Sequence, residues 1–321
     1  NIFVMDQMVG KLLRQLEEDG LAETTIVIWT TDHGDGLPRA KREIYDSGIK
    51  VPLIVHWPKS LKPAGVNPGS IDKKLVSFVD VGPSVLTLAG IPVPGYMHGS
   101  PQLVPGASSK RDYIYAAKDR LDGFNFRERA VRDGQFKYIN NLLPGMPGAQ
   151  HITYRDQLAT MQTLWQQFAA DKLNAAQRFW FESRPAEELY DIDSDPHEIN
   201  NLADSAEQVA TLARMRTALL DWRGAVGDFS EIDELEMAKN FWPNGEQPVT
   251  ETPQILINKV GTASLVPSAV HDSVGYRVNG GAWNLYSKPL SLPKNTILEA
   301  KSVRYGWAES PVIRVSINAS D

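Results

Sequence analysis

Thr25-Ile26-Val27-Ile28-Trp29 runs straight into Thr30-Thr31-Asp32-His33-Gly34-Asp35-Gly36. The continuous apolar run reads as a strand buried on both faces. An open parallel sheet binds its ligands just beyond the carboxyl ends of its strands, which is where Asp32 and His33 stand. The glycines let the backbone approach a ligand closely, and a carboxylate beside an imidazole makes a candidate metal corner. Upstream, Met5, Val9, Leu12 and Leu16 form one apolar stripe at helical spacing, with Gly20 as the helix stop. Downstream, residues 53–57 read as a second buried strand ending at Pro58. This part of the chain is α/β.

Leu75, Phe78, Val79, Val85, Leu86 and Leu88 predict a helical passage with Pro83 near a helix start. Gly90-Ile91-Pro92-Val93-Pro94-Gly95 breaks it, and the pattern then changes. Residues 113–115 and 130–132 read as short strands. Asp133-Gly134 is a hairpin signal, with 135–139 as the returning strand. Leu158, Met161, Trp165 and Phe168 make another helical stripe, residues 188–192 a further strand, and Val209, Leu212, Met215, Leu219 and Trp222 a last long amphipathic helix. These pieces predict an α+β subdomain carrying an antiparallel sheet. After a linker at 241–248, strands at 254–257, 273–278, 297–303 and 312–317 predict a small β-sandwich. The expected organisation is therefore a catalytic-core part at 1–95, a subdomain at 96–240, the linker, and a β-sandwich at 249–321.

The 321 residues allow a sizeable core. A formal net charge of −6 argues against a nucleic-acid partner, although local cations and a metal can still reverse the field in a cleft. With no cysteine, disulfides and thiolate metal sites are excluded. No apolar run reaches membrane-helix length, and no signal-peptide pattern is visible.

The decisive motif follows the Asp-His turn: Arg39-Ala40-Lys41-Arg42-Glu43-Ile44-Tyr45-Asp46-Ser47-Gly48-Ile49-Lys50-Val51-Pro52, then Leu53-Ile54-Val55. With it, residues 1 to about 203 resemble the formylglycine-dependent sulfatases of the alkaline-phosphatase superfamily. Gly275-Tyr276-Arg277-Val278-Asn279-Gly280, Trp283, Tyr286, Pro289-Leu290 and residues 297–306 resemble the small C-terminal domain of bacterial chitobiases. The first resemblance implies an alkaline-phosphatase-like α/β fold and a sulfuric ester hydrolase, arylsulfatase-like, acting on sulfate esters or N-sulfate of a glycan. Asp32 and His33 then correspond to ligands of a divalent cation, calcium or alternatively magnesium. Oxygen-loving calcium makes Asp32 the firmer ligand; His33 ligates by nitrogen or contacts the sulfate. Lys41 corresponds to a lysine reaching a sulfate oxygen, where a fixed ammonium stabilises charge building up on the ester. Arg39 is a further candidate for an anionic substrate. In the second subdomain, Arg120 is a candidate partner for a substrate carboxylate or sulfate, and Asp122 an acceptor of sugar hydroxyls. His151 has no assigned role.

Two motifs are discounted. Asp191-Ile192-Asp193-Ser194-Asp195 mimics a calcium loop, but Pro196 and Leu202 stand where the EF-hand requires glycine and glutamate. Asn318-Ala319-Ser320 is a formal glycosylation triplet that chance alone explains.

No Cys- or Ser-x-Pro-x-Arg motif, the source of the formylglycine, is present. The resemblance covers only the downstream part of the catalytic domain. The expected partner is therefore an N-terminal half supplying the nucleophile, without which a sheet with exposed edges leaves the 321-residue chain unstable alone. A cooperative melt of that isolated chain would refute this. The family implies a bacterial enzyme in the periplasm or outside the cell. The alternatives are a phosphodiesterase or phosphonate hydrolase of the same superfamily, and a non-catalytic carbohydrate-binding fragment in which Trp283 and Tyr286 stack on sugars.

Overall fold

The computed structural model describes residues 1–107, 110–258 and 260–317; the triplet 318–320 lies outside them. They form two compact units, Asn1–Glu231 and Ile232–Asp321.

The first unit opens with helix α1, Ile2–Glu18. It closes as expected: Gly20 sits at φ 70°, and Leu21 N–H donates to the Leu16 carbonyl. None of its residues is buried. Strand β1, Val27–Thr30, pairs antiparallel with β2, Leu53–His56, placing Ile28 opposite Val55. The sequence predicts runs buried on both faces, but Val27, Ile28 and Trp29 are only half-buried and Ile54 is exposed. The physical reason is that, among the described residues, the pair has no third strand. Between these strands lies a single helical turn, α2, Asp46–Ile49. Helix α3, Val81–Leu88, is preceded by a capping box between Ser77 and Asp80. The fully buried Asp80 also receives both terminal nitrogens of Arg111 at 2.6 Å.

Four strands then form an antiparallel sheet in chain order: β3 Ile114–Leu121, β4 Phe124–Arg132, β5 Phe136–Asn141 and β6 Glu187–Asp191. The predicted hairpin is present. Asp133 Oδ1 accepts the N–H groups of Gln135 at 2.7 Å and Phe136 at 2.6 Å. The connection from β5 to β6 carries α4 Thr153–Asp156, α5 Ala159–Ala169 and α6 Ala175–Arg178, packed around Met161, Trp180 and Phe181.

Alternation along these strands gives the sheet two different faces. Val131, Tyr138 and Leu189 pack against Leu212, Met215 and Leu219 of helix α7, Val209–Val226. Tyr115 stacks on Trp222 at 4.8 Å on the same side. Burying each such side chain contributes about 1.5–3 kcal/mol. On the opposite face, Ala130, Ile139 and Tyr190 meet Ile44 and Tyr45 from the segment that carries Lys41. That contact makes the first 231 residues one unit.

The second unit begins with α8, Glu234–Phe241, whose first turn is capped by Asp233 accepting from Leu235 and Glu236 N–H. Strands β7 Gln254–Ile257, β8 Thr262–Val266, β9 Ser273–Val278, β10 Asn284–Leu285, β11 Leu290–Ser291, β12 Thr296–Val303 and β13 Ile313–Ile317 follow. They form antiparallel sheets in the orders β10-β9-β12-β13 and β11-β8-β7 around Ala263, Leu265, Val274, Leu298 and Ala300. The sequence predicts a boundary near residue 240 and a linker at 241–248. The compact units divide between Glu231 and Ile232. Trp242 Nε1 donates to the Gly306 carbonyl, and Ala308 N–H to the Pro248 carbonyl, so this stretch is tied to the β-module.

Helix α7 ends at Gly227 in the left-handed region, φ 66°. The next residue, Asp228, receives Arg129 at 2.7 Å, Arg223 at 2.8 Å and the Ser230 hydroxyl at 2.7 Å. Partial burial alone would raise its carboxyl, but these donors overcome that and hold it well below the ordinary carboxylate range. The unfolded value is about 4. The clamp therefore stabilises fully above that pH and is lost as pH falls toward the lower folded value. In the intact protein, the Tm difference between wild type and Asp228→Asn should be largest near neutrality and shrink below pH ~4. A gap constant across the acid range would contradict this account of the clamp.

Candidate functional site

The site starts where β1 ends. Thr30 Oγ1 donates to the Pro52 carbonyl at 2.9 Å, fastening that end to the start of β2. Asp32 follows with its side chain 83% exposed. His33 Nδ1 lies 2.6 Å from the Gly34 carbonyl oxygen. A carbonyl can only accept, so Nδ1 carries a proton, and in the neutral ring Nε2 holds the lone pair. That lone pair lies 3.5 Å from Asp32 Oδ2. Two electron-pair donors facing each other need a proton or a cation between them. A backbone carbonyl on the far ring nitrogen is also the usual support of a metal-binding histidine. Asp32 and His33 therefore fit two ligands of a divalent cation. Among the described residues, no group of three or more His, Asp or Glu side chains gathers to complete such a site.

The Lys41 segment is knitted to this turn through the backbone. Lys41 N–H donates to the Asp35 carbonyl at 3.0 Å, and Gly34 N–H to the Gly48 carbonyl at 2.8 Å. Both glycines are required. A Cβ on Gly34 would sit 1.9 Å from the Ser47 oxygen, and one on Gly48 would sit 2.2 Å from the Glu43 oxygen. The Asp32-His33 turn and the lysine thus belong to one loop body. Lys41 Nζ lies 5.6 Å from the centre of the Tyr154 ring, within cation–π range. Among the described residues, no carboxylate pairs with its ammonium.

Arg39 has a different position from the one the sequence predicts. Its backbone is left-handed at φ 57°. Its guanidinium donates to the carbonyls of His197 and Glu198, both at 2.6 Å, and stacks on Tyr45 at 3.8 Å. The group predicted to meet an anionic substrate is bound to the protein's own backbone. Arg42, at φ 79°, donates to the Leu121 carbonyl at 2.8 Å and pairs with Asp122 at 3.1 Å. That bond brings the β3–β4 turn, with Asp122 half-exposed at its tip, alongside the Lys41 loop. Arg120 lies exposed near the end of β3, past an irregularity in the register, opposite Asn125. Lys118 lies within β3. It is buried, 2.9 Å from Glu43 and 3.3 Å from Glu128, with its ammonium 3.6 Å from the Phe126 ring centre.

Sequence reasoning missed what lies under the loop. The sheet face that receives Ile44 and Tyr45 also carries Lys118, Glu128, Arg132, Lys137, Asn141 and Glu188. Lys137 stands 2.9 Å from both Asp46 and Glu198, and Arg132 lies 2.6 Å from Asp46. Arg184 bridges Glu128 at 2.6 Å and Glu188 at 2.8 Å, while Tyr45 and Tyr190 hydroxyls donate to Glu188. Burial alone would raise Glu188 and Asp46. Arg184 holds the first, and Lys137 with Arg132 the second, below the usual range. At Glu128 and Glu198 burial wins over the neighbouring cations, and both carboxyls are raised. The available signal was the period of two: Glu128, Ala130 and Arg132 share one parity of β4, as do Lys137, Ile139 and Asn141 of β5.

In the second unit, the Trp283 ring has Arg277 at 4.8 Å and Lys301 at 4.6 Å, and Tyr286 packs edge-on to Tyr276 against the core. Both aromatics proposed to stack on sugars are already engaged.

Residues 1–91 match the sulfatase family model, and the whole chain aligns with an ulvan-active sulfatase of Formosa agariphila at 39% identity, over 98% of this chain and 53% of that protein. The chain is related to the sulfatases. N-sulphoglucosamine sulphohydrolase of Homo sapiens is 27% identical, over 70% of this chain and 46% of that protein. The chain thus spans about half the length of the curated relatives it matches. Among solved structures, BT4656 in complex with its substrate D-glucosamine-2-N,6-O-disulfate superposes with a TM-score of 0.51, at 21% identity, covering 72% of this chain and 41% of that one. BT1596, a 2-O GAG sulfatase, gives 0.51 at 23% identity, covering 70% and 42%. These likenesses show the sulfatase fold. The family generally works with a formylglycine and a divalent metal.

The paired charges under the loop make a testable demand. Lys137→Met in the intact protein leaves Asp46 and Glu198 facing each other without their shared cation, and the expected destabilisation is about 3–5 kcal/mol by denaturant titration. A change below ~1 kcal/mol would show that the network does not hold the loop.

Proposed function

We propose that this chain is the downstream part of a sulfatase that hydrolyses sulfate esters, or N-sulfate, of a glycan. The observation that carries the reading is Lys41. Its neighbours Lys118 and Lys137 are buried between carboxylates. Lys41, on a rigid loop joined by backbone bonds to the Asp32-His33 turn, has no carboxylate partner among the described residues. A cation held in place and left uncompensated is what an anionic transition state needs.

In this reading Asp32 and His33 are two ligands of a calcium or magnesium ion. When present, the formylglycine provides the oxygen nucleophile, and the metal offsets charge on the sulfate. Lys41 Nζ clamps a sulfate oxygen and stabilises the charge that builds as the ester bond breaks. Asp122 and Arg120, at the β3–β4 turn tied to Arg42, select the sugar. Arg39 serves the site by anchoring the loop through the His197 and Glu198 carbonyls.

The nucleophile and remaining metal ligands come from an N-terminal half of the catalytic domain. The apolar residues left exposed on α1, including Ile2, Phe3, Met5, Met8 and Leu12, together with Ile54, support such a covering partner. The relative's name makes ulvan the first glycan to test. Kinship with bacterial glycan sulfatases supports a periplasmic or extracellular enzyme. No described helix is long and apolar enough to cross a membrane.

In the complete enzyme, Lys41→Ala should lower kcat on a sulfated substrate by about 100- to 1,000-fold, the effect of removing one charge-stabilising donor. Turnover near wild type would sink the assignment.

A further inference from the structure

The turn that brings Tyr154 to Lys41 also presents a histidine that is exposed yet held. The His151 side chain is 71% exposed. Its Nδ1 lies 2.9 Å from Asp156 Oδ2. Its ring stacks on Trp165 at 4.0 Å and 20°. Trp165 Nε1 in turn donates to Asp156 Oδ1 at 3.1 Å, and its ring stands edge-on to Phe181 at 4.8 Å in the buried cluster. Two direct contacts thus fix one surface imidazole, and both partners are themselves held.

Such an arrangement gives little back to folding. An exposed ion pair contributes little, and ordering a surface side chain costs a comparable amount of entropy. It does, however, prepare a binding group in advance. Nδ1–H donates to the Asp156 carboxylate, and in the neutral ring Nε2 is then the acceptor. Three residues on, Tyr154 is 43% exposed, and its ring carries Lys41 at 5.6 Å.

We infer that His151 and Tyr154 form a sugar-recognition wall beside the sulfate clamp. His151 Nε2 accepts a hydrogen bond from a pyranose hydroxyl, and the open face of Tyr154 stacks on the sugar's C–H surface. Asp156 and Trp165 are positioning residues that act through His151. The ligand is the carbohydrate part of the substrate, not its sulfate, and the inference rests on the sulfatase reading above.

The test compares two substrates in the complete enzyme: oligosaccharides from ulvan, which carry a sugar, and 4-nitrophenyl sulfate, which does not. His151→Ala should raise KM for the oligosaccharide about tenfold, the loss of one hydrogen bond to a substrate hydroxyl. The ratio of kcat/KM for oligosaccharide over 4-nitrophenyl sulfate should fall by the same factor. Asp156→Asn, which keeps an acceptor for Trp165, should lower that ratio in the same direction by a smaller factor. An unchanged ratio in His151→Ala, or an equal loss on both substrates, overturns the inference. A wild type inactive on both overturns the sulfatase reading and this wall with it.

Discussion

Lys137 sits in the middle of an antiparallel sheet, almost wholly buried, 2.9 Å from Asp46 and 2.9 Å from Glu198. An isolated charge in that place would be prohibitive. It is tolerated because the segment carrying Lys41 folds down onto the sheet and brings Asp46 with it. The same segment brings Glu43 to Lys118 and Tyr45 to Glu188. Buried charges of this kind are strongly directional. They are satisfied in one register and expensive in any other, so the sheet accepts the loop in one position. The apolar contacts of Ile44 and Tyr45 with Ala130, Ile139 and Tyr190 add burial without that directionality.

From this follows the geometry of the upper side. Glu43, Tyr45 and Asp46 point into the sheet, while Lys41 and the Asp32-His33 turn stay accessible. Left-handed backbone at Arg39 and Arg42 costs about 1–2 kcal/mol per residue. It is offset by Arg39's two carbonyl bonds and by the pairing of Arg42 with Asp122. A charge-stabilising lysine has to be held within a fraction of an ångström to contribute fully, and the buried pairs beneath it provide that stiffness. The network acts by fixing the position of the loop that carries Lys41.

Two further parts of the chain reach the loop from elsewhere in the sequence. The β3–β4 turn arrives through Asp122, and the β5–β6 insertion through Tyr154. Both are connections, which can vary while the sheet and loop stay constant. The fold thus separates a stiff part that carries Lys41 and the Asp32-His33 turn from the connecting segments that border it.

Much of this was legible in the residues. The helix ending at Gly20, the Asp133-Gly134 hairpin, the stripe of α7 and the strands of the β-module all follow from local periodicity and turn chemistry, which the folded chain leaves in force. Asp32, His33 and Lys41 could be named because they lie in one short ordered motif. Tertiary structure decided the rest, because it depends on pairing across long separations. Arg39 meets His197 and Glu198 some 158 residues away, Lys118 meets Glu43 across 75, and Tyr154 meets Lys41 from a different connection. A single charged residue in a strand reads the same whether it faces water or a buried partner. Only the face it occupies in the sheet, and what folds onto that face, tells the two apart.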